Sequence, residues 1–534
     1  MAQQEKPLII LADGTKRTVG SQATKNNIMA AKILSNVLKT TLGPRGMDKM
    51  LVNTIGDVTI TNDGYTILKE TEPDHPAAKM VVDLAKVQQE EYGDGTTSAV
   101  VLVGEILKQA EKLIEDGLST STIVKSFDEA KSKTLEIFDE ISIKTEKEEL
   151  IDIAETSMQG KGSFGNTRQM ATKIVEALLD VKENGQIDPD MIKIRKIHGE
   201  GTEDTEITQA VTIDKSVVES EMPKDVKNAK IALIQYPLDA KELQNEAKIT
   251  INSPGEYQAY LDKEAELLEA QIQKIVDAGA NVLFNNKKIS DLGQHFLTKA
   301  GILTAKRVKA GDLERLAKAT GANLVNDVKE ITSDDLGEAG HVYEREVFED
   351  REYIFIEDCK YPGTLNIIIR GSTKHITDQL EDAVNNAIGA VSSAIKENKA
   401  LPGGGAAYVA ASKALKTYAN QFTDKRQLGI TAYADALMEI PIAIAKNAGL
   451  DIIDISTELL AAQEKSTNMG LNVFEGKVED MKENHILDSE ETISAIVDGS
   501  TEIATEVLRI DDVLAAKEEI PVGGDMPGTP NPWA

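Results

Sequence analysis

A single cysteine, Cys359, excludes an internal disulfide and fits a reducing compartment. Aromatic residues make up only 4% of the chain, too few to expect stacking platforms for nucleic-acid bases. The six histidines (75, 198, 295, 341, 375 and 485) show no ligand spacing, so no zinc site is expected. No apolar run approaches membrane-spanning length, and Met1-Ala2-Gln3-Gln4-Glu5-Lys6 lacks the charged-then-apolar pattern of a signal peptide. Together these absences predict a cytoplasmic protein. Positive charge is also short. Lys and Arg number 59 against 89 Asp and Glu, and the net charge of −30 argues against nucleic-acid and membrane partners. What is present is length: 534 residues, enough for about three domains.

The most informative stretch is Gly93-Asp94-Gly95-Thr96-Thr97-Ser98, followed by the apolar run Ala99-Val-Val-Leu-Val103. Two glycines let the backbone turn tightly and approach a ligand. The hydroxyl residues then open a helix too apolar to lie on a surface. The N-terminus of such a helix directs free N–H groups and a positive dipole end into the protein, which favours phosphate. Asp94 adds a hard oxygen of the kind Mg²⁺ accepts beside nucleotide phosphates. A plain glycine turn with a Thr N-cap fits the same residues.

Periodicity predicts a helix over 22–42, stopped by Gly43-Pro44. A hairpin is predicted from Met50-Leu51-Val52 and Val58-Thr59-Ile60-Thr61 around Gly56-Asp57, delivering Asn62-Asp63-Gly64 to a turn. Helical patterns follow over 80–92 and 99–150. Lys161, between two glycines, is either a surface loop lysine or a mobile cation able to sense phosphate. From about 192 strands alternate with helices, as in Ala229 to Gln235, Ala280 to Phe284, Tyr353 to Ile356 and Asn366 to Ile369, marking a separate α/β segment. Within it, Ser253-Pro254 opens an amphipathic helix with a stripe of Tyr257, Leu261, Leu268, Ile272, Ile275 and Val276, which reads as core or as a partly exposed docking face. Helices return after Thr373, with a second glycine turn at Pro402-Gly-Gly-Gly405 and a Gly/Pro-rich tail from Pro521 that predicts disorder.

Several long motifs stand in order: Thr41-Leu-Gly-Pro-Arg-Gly-Met-Asp-Lys-Met50, Thr61-Asn-Asp-Gly-Tyr-Thr-Ile67, Gly93 to Ser98, Pro402 to Gly405 and Val507-Leu-Arg-Ile-Asp-Asp512. Through them the chain resembles the group II chaperonins, the archaeal thermosome type related to the eukaryotic cytosolic chaperonin. The resemblance implies a multidomain α+β fold threaded out and back. It comprises a mostly helical equatorial ATP-binding domain (1–148 and 402–534), a small α/β intermediate hinge domain (149–216 and 369–401) and an α/β apical substrate-binding domain (217–368). The apical domain would carry a helical protrusion near 249–277 as a built-in lid. The implied cofactors are ATP and Mg²⁺. The implied partners are copies or paralogues of the subunit in stacked rings, and non-native polypeptide clients. By position Gly43, Pro44, Gly95, Thr96, Thr97 and Ser98 match phosphate contacts, and Asp94 matches the metal ligand. Gly404, Asn472 and Asp488 match the base and ribose side, and Lys161 matches the lysine that senses the γ-phosphate.

The family uses two carboxylates on the attacking water. Asp63 matches the first; the second falls on Asn386, in Glu381-Asp-Ala-Val-Asn-Asn-Ala-Ile-Gly389. An amide holds water but cannot accept its proton at neutral pH. Losing a general base costs about 10²–10⁴-fold in rate, so the expectation is normal ATP binding with very slow hydrolysis. Asp382, one turn earlier on the same helix face, is a candidate substitute, but it is expected to sit about 6 Å away along the axis, too far without rearrangement. Tyr408 stands where the family often has glutamate, and Ser489-Glu-Glu-Thr-Ile493 replaces a Pro-led, more basic stretch. Two functions are therefore carried forward: an ATP-driven folding-chamber subunit, and an ATP-liganded structural ring subunit with little ATPase activity of its own. A small-molecule phosphotransferase is a weaker third, because the apical segment offers no clustered acceptor pocket.

Overall fold

The computed structural model describes residues 16–53, 55–161, 166–182, 185–199, 201–239, 254–348, 351–361 and 363–515. The predicted disordered tail, and the part of the expected protrusion before Pro254, lie outside the described residues.

Helices α1 (Ser21–Lys39), α2 (Gly64–Thr71), α3 (Pro76–Val87), α4 (Thr96–Glu115) and α5 (Thr120–Ile141) open the chain. The predicted helical stretch 99–150 is three helices, broken at Gly117 in the left-handed region (φ 86°) and again at Ser142. The third of these, α6 (Lys147–Met158), packs on α7 (Thr167–Asp180). After an α/β stretch containing α8 (Pro254–Asp277), α9 (Asp291–Lys299) and α10 (Ala310–Thr320), the long α11 (Lys374–Glu397) leads back. The chain then adds α12 (Ala406–Ala419), α13 (Arg426–Asn447), α14 (Ile452–Ala462) and α15 (Glu490–Arg509).

Burial sorts these elements into three main cores. The first draws on both ends of the chain: Ile28 to Phe138 with Leu401 to Leu508, so α4 packs against α1, α13 and α15. Strand Lys16–Val19 pairs antiparallel with Asp512–Ala515, and Arg17 caps that join by an ion pair with Asp512 at 2.6 Å. Helix α13 is apolar enough over a membrane-spanning length, at mean hydropathy 1.4, which corrects the expectation that no such run exists. Its Ile430, Tyr433, Leu437 and Ile440 are instead fully packed in this core.

The second core lies in the α/β stretch, around a seven-stranded sheet. Its central strand Gly337–Phe348 runs antiparallel to both Asp225–Ile234 and Arg351–Cys359. Leu268, Ile272 and Ile275 of α8 are buried in it, so this part of the stripe is core, while Leu267 is 42% exposed. The side chains of Tyr257 and Leu261 lie outside the described residues. The third core joins α6, α7 and α11 to the parallel strands Ile192–His198 and Leu365–Gly371. Strand Lys399–Pro402, paired on one side with Leu487–Ser489 and on the other with Ile143–Lys144, is where the first and third cores meet.

Candidate functional site

Four turns and one helix build the site. The first turn ends α1: Gly43 takes φ 84°, and the Asn447 amide on α13 donates to the carbonyls of Lys39 and Leu42, both at 2.8 Å. The second follows the hairpin of Lys49–Val52 and Val58–Thr61, as predicted. Asp63 there N-caps α2, accepting the Thr66 N–H at 2.8 Å, and its own N–H donates to Thr61 Oγ1 at 3.0 Å.

The third turn is the Gly-Asp-Gly stretch. Helix α3 widens into a π-helical turn, Gln88–Tyr92, before Gly93 (φ 70°) and Gly95 (φ 83°) reverse the chain into α4. No side chain caps α4, whose first backbone bond is Ala99 N–H to the Gly95 carbonyl. The N–H groups of Thr96, Thr97 and Ser98 precede that bond and are the helix's orphan donors. The alternative of a Thr-capped surface turn is thereby set aside. The fourth turn is Gly404 and Gly405 ahead of α12, where a methyl on Gly404 would stand 2.7 Å from the Leu471 carbonyl.

These turns enclose a cavity of about 600 Å³. Gly43, Pro44, Asp94, Gly95, Thr96, Thr97, Ser98, Lys161, Gly404, Asn472 and Asp488 all line it. Asp63 and Asn386 do not; they sit around the charged pair at its edge. Lys161 Nζ donates to Asp94 Oδ1 at 2.8 Å, and Asn386 Nδ2 approaches the same oxygen at 3.3 Å. Burial alone would lower the Lys161 pKa, but the charges of Asp94, Asp63 and Asp382 hold it above its ordinary value. The Asn386 carbonyl oxygen is buried without a partner among the described residues. Asp488, delivered by pairing with Leu401, has its carboxyl pushed up to about 7 by burial, with the Asp94 charge adding to the effect. Asn472 is committed to its own hairpin: its oxygen accepts from Phe474 and Glu475, and its amide donates to Glu479.

Helix α11 is fixed against this site by glycine. A methyl on Gly93 would stand 2.6 Å from Gly389 Cα, so the two backbones touch where any side chain would part them. That contact brings Asn386 to Asp94. Sequence reasoning found the residues but not this contact; Gly389, mid-helix at a position with no turn to explain it, was the available signal. Asp382, one turn earlier on α11, is outside the cavity lining, and its carboxylate accepts from Thr61 Oγ1 at 3.4 Å. Burial first, and then the Asp63 and Glu381 charges, push it up to about 7. Tyr408, Ser489 and Thr492 also line the cavity with buried hydroxyls unpartnered among the described residues.

The arrangement suits a polyphosphate: orphan N–H donors, a lysine, and room for a nucleotide. For a metal it offers Asp94 beside the helix N-terminus, with no cluster of three metal-ligating side chains among the described residues. That fits Mg²⁺, which takes one or two carboxylates and completes its shell with phosphates and water.

The pattern of the TCP-1/cpn60 chaperonin family matches residues 34–518. This chain belongs to that family. The chaperonin is 45% identical over 517 residues to the thermosome subunit beta of Methanothermobacter thermautotrophicus, covering 97% of this chain and 96% of that one. It is 44% identical over 518 residues to the thermosome subunit alpha of the same organism, covering 97% and 95%. With the thermosome subunit of Methanocaldococcus jannaschii the identity is 43% over 540 residues, covering 99% of each.

Proposed function

We propose that this chaperonin chain is an ATP-dependent subunit of a double-ring folding chamber in the cytoplasm, with hydrolysis slowed by Asn386. The observation that carries the reading is the uncapped N-terminus of α4 facing a nucleotide-sized cavity beside Asp94 and Lys161. Thr96, Thr97 and Ser98, with Gly43 and Pro44, hold the phosphates. Gly404 and Asp488 face the ribose and base, and Asn472 shapes that wall. Asp94 holds Mg²⁺, which neutralises phosphate charge when bound. Lys161 exchanges its Asp94 contact for the γ-phosphate.

On this reading the chain divides into three domains, equatorial (1–148 and 402–534), intermediate (149–216 and 369–401) and apical (217–368), and the presence of three main cores supports that number. Because Lys161 and α11 belong to the intermediate domain, γ-phosphate contacts favour its closure over the equatorial domain and move the apical lid with it. Non-native clients meet exposed apolar surface on the apical helices. Ring contacts with copies or paralogues are supported by exposed apolar residues spread over 29–55: Met29, Ile33 and Val37 on α1, and Met47, Met50, Val52 and Ile55 about the hairpin.

Asp63 orients the attacking water, and the Asn386 amide holds Asp94 without accepting a proton. Single-turnover hydrolysis by purified rings tests this: Asn386→Asp is expected to raise the rate roughly tenfold or more, and an unchanged rate discards it. The second reading, an ATP-liganded structural subunit without refolding activity of its own, is favoured by the same Asn386; client refolding measured beside turnover separates the two.

A further inference from the structure

The face of α11 that turns Asn386 toward Asp94 carries a carboxylate one turn earlier. Asp382 and Asn386 are four residues apart and so lie on one side of the helix. The two side chains divide the site between them: Asn386 reaches Asp94, while Asp382 reaches Thr61. The Thr61 hydroxyl that donates to Asp382 also accepts the backbone N–H of Asp63. One hydroxyl thus ties the carboxylate of α11 to the turn that presents the other. Lys161 pairs with Asp94 at 2.8 Å and also feels the charges of Asp63 and Asp382. Burial and the charge of Asp63 leave the Asp382 carboxyl near neutrality, where a proton acceptor works best.

We infer that Asp382 is the second carboxylate of this site, taking with Asp63 the proton of the attacking water that a carboxylate at position 386 would otherwise take. The inference rests on the ATP-hydrolysis reading above. In the step, the water oxygen bonds to the γ-phosphorus as the bond from that phosphorus to the β–γ bridging oxygen breaks. The electron pair stays on the departing ADP oxygen, and the water's proton passes to the carboxylate. The hydroxyl left on phosphorus completes inorganic phosphate. The offset of four residues along the helix, about 6 Å, makes Asp382 slower than a carboxylate at 386 and faster than none.

The test uses rings of the full-length chain and of the variants Asp382→Asn, Asp382→Asn with Asn386→Asp, and Thr61→Val. Affinity for a fluorescent ATP analogue and single-turnover ATP hydrolysis are measured on each. Asp382→Asn is expected to lower the rate about tenfold or more with affinity unchanged. Adding Asn386→Asp should restore at least the parent rate, because it returns a carboxylate to the same face. Thr61→Val, which keeps the carboxylate but removes its tether, should slow the rate several-fold. The inference is overturned if Asp382→Asn binds and hydrolyses like the parent, or if the double variant stays as slow as Asp382→Asn, which marks a structural loss. Should Asp382→Asn fail to assemble, an unchanged rate in Thr61→Val overturns it instead. A parent that binds nucleotide but hydrolyses no faster than buffer sinks Asp382 alone; a parent that binds none sinks the ATP reading with it.

Discussion

Helices α4 and α8 use apolar sequence for opposite ends. Ala99 to Leu107 of α4 are buried without interruption, so its first turn opens inside the protein and its backbone donors become chemistry. In α8 the buried apolar residues are the inner stripe of Leu268, Ile272 and Ile275, while Leu267 faces out. One helix opens onto a cavity; the other is a wall of the α/β core. A helix buried on all sides near its start directs its dipole at a cavity, whereas an amphipathic one directs only its side chains at a neighbour.

That contrast can be broken at either end. Ile275→Ala should cost the α/β core about 2–5 kcal/mol and lower its melting transition in calorimetry, while nucleotide affinity stays within twofold. Gly95→Ala reverses the pattern. Its methyl would stand 2.5 Å from Ile496 Cδ1 at a φ of 83°, and left-handed backbone costs a non-glycine residue about 1–2 kcal/mol. Nucleotide affinity, read by titration with a fluorescent ATP analogue, should fall about tenfold, since 1.4 kcal/mol is one decade. Nucleotide affinity retained at the parent value would show that α4 presents nothing to a ligand.

The cavity's electrostatics sharpen the comparison with a smaller effect. The Asp488 carboxyl sits at about 7 in the folded chain, above its unfolded value, so the folded state holds the proton more tightly. The stability this contributes is present below the unfolded pKa and is lost as pH rises toward 7. Asp488→Asn should flatten that decline in melting temperature between pH 5 and 8; a parallel slope in both proteins would refute the assignment. The smallest effect belongs to the outer face of α8. Leu267→Ser should change stability by no more than about 0.5 kcal/mol, read from the same calorimetric transition.

Where elements carried their own signal, the sequence was legible. The hairpin around Gly56-Asp57, the starts of α2 and α4, and the strand Leu365–Gly371 with its Ile367-Ile368-Ile369 run were all visible in pattern or turn chemistry. The strand Gly337–Phe348 was not, because its glycines and charges give no clean alternation. It becomes a strand by lying between two partners. Gly117 was overlooked as a break because the apolar spacing resumes after it. In the site, residue identities were legible through the motifs, whereas the hydrogen bond that Thr61 brings to Asp382 from the hairpin was not.

Sequence alone determined the local conformations: glycines at 43, 93, 95, 404 and 405 permit left-handed turns, and the apolar runs behind them commit α4 and α12 to the interior. Only the tertiary structure decided that Lys161 and Asn386 would meet at Asp94, and that Thr61 would join Asp63 to Asp382. They come from segments far apart in the chain, and the charge each feels depends on distances through space. Those distances are set by contacts such as Gly93 against Gly389, which no local pattern encodes.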